Sequence, residues 1–131
     1  MKLSTFFSIF GGIAIVFGLV FLLLPALSLP IYGLPTEASN VVEARYFGAT
    51  LLPLGVLVWL ARGTQDETAI RAILFATALA TALGVVVSAW SVLTGVENAM
   101  AWSSAAIYAA LLIGCVYFLT SGARGTLAAE A

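Results

Sequence analysis

From Tyr46 to Ala61 the chain runs sixteen residues without a charge, closed off by Arg45 at one end and Arg62 at the other. A helix needs about 20 residues to cross the hydrocarbon core of a bilayer, so this run crosses most of one. Three more apolar runs share this character, at residues 5–24, 69–93 and 101–120. Four such spans use most of the 131 residues and leave no length for a soluble domain. The expected fold is therefore all-α and polytopic, a single domain over residues 1–131. Its four transmembrane helices fall at about residues 5–24, 41–61, 68–93 and 99–120, paired as two helical hairpins in an antiparallel bundle. Composition agrees: 8% of residues are charged, against roughly 25% in a soluble domain.

Missing residue types narrow the chemistry. There is no His, the commonest general base and metal ligand, so neither a metal site nor a cofactor such as haem is expected. The single Cys115 lies in an apolar run and has no partner for an internal disulfide. Net charge is −1, and no basic block exists to hold nucleic acid. No residue is assigned a catalytic role.

Lys2, the apolar residues 6–24 and Ala26-Leu27-Ser28 together have the outline of a secretory signal. The run exceeds the usual signal core of about 7–15 residues, so a retained first helix is expected. Pro25 stops that helix. The segment 25–40 is still fairly apolar, and it is expected as a connector lying on the membrane interface and capping the bundle. A lid over a binding site is the other reading. Asn40 and Glu43 have capping-box spacing for the second helix, as do Thr64 and Glu67 for the third. Pro53 falls mid-helix, frees the Ala49 carbonyl and is expected to kink the second helix, with Thr50 placed to re-satisfy the backbone.

Small residues stripe the third helix at strict four-residue spacing: Ala72, Ala76, Ala80, Gly84 and Ser88. Each step turns the stripe by about 40°, so it winds and favours a close right-handed crossing. Ala106, Ala110 and Gly114 make a shorter version on the fourth helix, and Gly11 and Gly18 stand a heptad apart on the first. These faces either pack the helices of one chain or meet a partner.

Lys2, Arg62, Arg71 and Arg124 fall on the side of the termini and only Arg45 on the other, which places both termini in the cytoplasm. The far side carries Glu37, Glu43 and Glu97. There Glu43, Arg45, Glu97 and Asn98 form a candidate outer-interface site. Arg45 either snorkels to the headgroups or turns inward to Glu97. Glu43 is a poorer partner, because residues two apart on a helix point to different faces.

Tyr32-Gly33-Leu34, Ala44-Arg45-Tyr46-Phe47-Gly48 and the stretch from Gly95 to Trp102 resemble small bacterial four-helix membrane proteins of unknown function. Their plan is similar to that of the ergosterol-biosynthesis scaffold family. For the bacterial proteins the resemblance implies no assigned activity, for the scaffold it implies a non-catalytic protein that gathers membrane enzymes, and neither carries over a catalytic residue; a bacterial inner membrane is the expected location. The expected role is a subunit or scaffold that meets other integral membrane proteins, or its own copies, through small-residue faces. A small carrier or pore would use Thr50, Thr77, Thr81, Ser88, Ser91, Ser104 and Tyr108. An enzyme, or a lipid or quinone binder, would use the outer corner.

Overall fold

The computed structural model describes residues 1–121 and contains helices and turns only. Five helices follow one another: α1 (Leu3–Leu23), α2 (Pro25–Ile31), α3 (Ala38–Ala61), α4 (Glu67–Leu93) and α5 (Ala101–Ser121). Four of them, all but α2, are long and apolar enough to cross a membrane. Their bounds differ from the expected spans by three residues at most. Arg124 and the tail after Gly122 lie outside the described residues.

Pro25 does two things at one position. It ends α1, and it opens α2 from the first helical position, where a missing N–H breaks no bond. The short α2 corrects the expectation of a plain connector. It closes on Gly33, whose φ of +76° suits only glycine, with the Leu34 amide bonded to the Leu29 carbonyl at 3.1 Å. The same closure ends α4: Gly95 has φ +75° and the Val96 amide reaches the Ser91 carbonyl at 2.9 Å.

Both capping expectations need correction. Helix α3 begins three residues before the expected start, with Glu37 at its N-cap, and the Asn40 amide donates to the Pro35 carbonyl at 2.8 Å instead. Asp66, not Thr64, caps α4, accepting from the Thr68 and Ala69 amides at 2.9 and 3.2 Å. Helix α3 runs through Pro53 without a break, and Thr50 donates to the Phe47 carbonyl at 2.9 Å rather than to that of Ala49.

Helix α1 packs along α3 and α4 along α5, whereas α3 and α4 make no extended contact. The first pair approaches through glycine. Gly11 and Gly18 on α1 oppose Gly55 and Gly48 on α3, so close that a methyl on any of the four would strike the other backbone. The hairpins then meet in a core at the end holding the N-terminus, here termed the terminal end. Phe6 joins them: its ring lies 5.3 Å from that of Phe118 and covers Gly114. Phe7, Leu74, Val58 and Cys115 are fully buried around it. Thr77 reaches across the second pair to Cys115, with Oγ1 and Sγ 3.4 Å apart, while also bonded to the Ile73 carbonyl at 2.7 Å. Among the described residues no buried side-chain polar atom lacks a partner.

Candidate functional site

At the opposite, distal end the hairpins are clasped by Asn98. Its backbone amide donates to the Tyr32 carbonyl at 2.9 Å and its side-chain amide to the Ile31 carbonyl at 3.0 Å. Its Oδ1 accepts from the Met100 amide at 2.9 Å, and Ser104 adds a bond to the Tyr32 hydroxyl at 3.2 Å. One side chain thus ties α2 to the α4–α5 turn. Of the two readings left open for Arg45, snorkelling or an inward pair with Glu97, the structure does not form the pair. Arg45 is exposed, and Glu97 folds back through the Gly95 turn to accept a short hydrogen bond from Ser91.

Between the clasp and the phenyl core the hairpins stand apart and enclose a cleft of about 760 Å³. That volume falls within the range of small-molecule sites, roughly 300–1,000 Å³. Its wall on α1 runs from Phe10 to Phe21, a helical length of about 16 Å, or roughly half of a bilayer's hydrocarbon core. Most of the lining is apolar, with Ile13, Phe17, Leu51, Leu54, Ile107 and Leu111 toward the core. Asn40, Glu43, Tyr32, Ser91, Glu97 and Ser104 gather at the clasped end. Exposed lining residues lie on α3 (Phe47, Thr50) and α4 (Leu83, Val87), so the cleft opens sideways between these two helices.

The outer-interface candidates separate. Glu43 and Glu97 share the cleft, Asn98 forms the clasp, and Arg45 belongs to neither. Six of the seven hydroxyl residues considered for a carrier line the cleft; Thr77 does not. Thr81 is bonded to the Thr77 carbonyl at 2.8 Å, which neutralises it within its own helix.

The four-residue stripe divides. Ala72 and Ala76 are exposed outside the cleft, Ala80 is exposed at its edge, Gly84 lies under the Tyr108 ring, and Ser88 is buried in the wall. Four steps of about 40° carry Ser88 to nearly the opposite side of the helix from Ala72, so no single face holds the stripe. On α5, Ala106 and Ala110 are exposed and Gly114 is covered by Phe6. Sequence reasoning missed Gly48 as the partner of Gly18, although Gly48 and Gly55 repeat the heptad of Gly11 and Gly18.

The family described as Domain of unknown function (DUF8292) matches residues 9–125, nearly all of the chain. The chain belongs to this family. No curated protein and no solved structure matches it. Among the described residues of this DUF8292 member, no cluster of three or more His, Cys, Asp or Glu side chains could hold a metal ion.

Proposed function

We propose that the protein is a non-catalytic integral membrane protein that holds one amphiphilic molecule in the cleft between its hairpins. The carrying observation is the cleft itself, mainly apolar for about one leaflet's depth, with hydroxyls such as Thr50 and Thr81 bonded to their own helix carbonyls and carboxylates only at the clasped end. An amphiphile dissolved in the membrane matches both features, and the gap between α3 and α4 lets it enter sideways. The phenyl core argues against a continuous pore, since it fills the terminal half between the hairpins. Native mass spectrometry of the protein released from membranes in mild detergent tests the reading. A one-to-one adduct is expected, lost on substituting the exposed cleft residue Leu83→Trp, which fills the space without touching the core. An adduct unchanged by that substitution would overturn the proposal.

A second reading rests on Ala72, Ala76 and Ala80 of α4 and on Ala106 and Ala110 of α5, which stay exposed. Smooth small-residue surface of this kind suits another membrane helix, of a partner protein or a second copy. The same spectra report it as a heavier assembly, which Ala76→Ile should dissociate.

Among the described residues, Lys2, Arg62 and Arg71 at the terminal end against Arg45 at the distal end support cytoplasmic termini in a bacterial inner membrane. A reporter fused after residue 131 should be active only on the cytoplasmic side; periplasmic activity would reverse the orientation.

A further inference from the structure

We propose that the occupant of the cleft is a lipophilic cation, with its positive group seated at the clasped end. The inference rests on the amphiphile reading above and adds the sign of the headgroup. Among the described residues two charged ones line the cleft, the exposed Glu43 and the half-buried Glu97, and both are acids. No described Lys or Arg lines it: Arg45, two residues from Glu43, is exposed and lies outside the lining. Glu97 is half-buried and accepts a hydrogen bond from the neutral hydroxyl of Ser91, so no described residue cancels its charge. A carboxylate held near hydrocarbon without a counter-charge is costly, and a ligand cation removes that cost while an anionic headgroup would add to it.

Aromatic rings independently favour the same sign. Phe21 stands 5.9 Å from Tyr32 and 5.1 Å edge-on to Phe47, and all three line the cleft, with Phe47 one helical turn from Glu43 on α3. Ring faces attract cations and repel anions, most strongly where water is excluded. The occupant is thus an alkyl or aryl body ending in an amine, a quaternary ammonium or a group of like charge, drawn from the membrane phase.

Tetraphenylphosphonium and tetraphenylborate have the same shape and opposite charge, which isolates the claim. Binding of each radiolabelled ion to the full-length protein in a neutral maltoside detergent is measured in separate experiments, because the two ions pair and precipitate when mixed. Saturable one-to-one binding of the phosphonium is expected, and no saturable binding of the borate. The paired substitution Glu43→Gln and Glu97→Gln keeps the shape of both side chains and should weaken binding roughly tenfold or more, as loss of charge-assisted contacts does. A protein that stays monodisperse and keeps its Tm in the double variant shows that binding, not folding, was lost. Single Glu97→Gln serves if the double variant does not accumulate. Equal binding of both ions, expelled together by Leu83→Trp, overturns the charge assignment and leaves the amphiphile reading standing. If neither ion binds while the lipid adduct persists, the cation proposal alone falls; if the adduct is absent too, both fall.

Discussion

Gly48→Ala should destabilise the protein by about 3 kcal/mol, at the upper end of the overpacking range, although it adds only a methyl group. The methyl would clash with the backbone nitrogen of Leu22 and stand 2.6 Å from the Gly18 carbonyl oxygen. Both obstacles are main chain of α1, so no rotamer change relieves the clash and the two helices must separate along their length. Gly12→Ala is the matched control. Its methyl meets only the Trp59 ring, at 3.7 Å, an ordinary contact, and alanine is the better helix former. Thermal unfolding in detergent should show a steep loss of Tm for the first variant and an unchanged or raised Tm for the second. Equal behaviour of the pair would mean that α1 and α3 are not in backbone contact.

Phe6→Ala should cost about 2 kcal/mol and should loosen the two hairpins from each other. Removing a buried Phe from a soluble core costs about 3–5 kcal/mol, but part of that is transfer from water. Helices that stay in lipid when they separate lose that part and keep the packing loss. Phe6 contacts Phe7, Phe10 and Phe118 and covers Gly114, which makes it the ring that joins α1 to α5. Phe75 is 68% exposed on α4, and Phe75→Ala should change little. A spin-label distance between the terminal ends of α1 and α5 should broaden in Phe6→Ala and stay sharp in Phe75→Ala. The opposite pattern would place the junction elsewhere.

The long helices were legible because a bilayer imposes a length, and uninterrupted apolar runs of that length have few other uses. Helix α2 was not, since three prolines across residues 25–35 read as breaks and only one sits where a helix can begin. The two kinds of small-residue spacing also differ in a way that geometry explains. A four-residue spacing drifts about 40° per step, so Ala72 and Ser88 end on different sides of α4. A heptad drifts only about 20° per repeat, so Gly11 and Gly18 stay on one face and find Gly55 and Gly48. Of the outer corner, the sequence placed Glu43, Glu97 and Asn98 at one level but not their separate roles. The Glu97–Ser91 bond depends on the turn at Gly95, and the cleft depends on how far apart two hairpins stand. Neither is a property of any single segment.

The Asn98 clasp also orders events during synthesis. Its side-chain bond to the Ile31 carbonyl joins residues 67 apart in sequence, and the Ser104 bond to Tyr32 joins residues 72 apart. Each hairpin, by contrast, is built from neighbouring helices that can pair as soon as both have entered the membrane. The first hairpin therefore assembles while the second is still on the ribosome, and its cleft-facing wall is open to lipid throughout that interval. A two-walled cleft begins to exist only when the α4–α5 turn arrives to meet α2. An amphiphile of the kind proposed above would then be taken in by a nearly finished chain, because the nascent one has only a single wall to offer it.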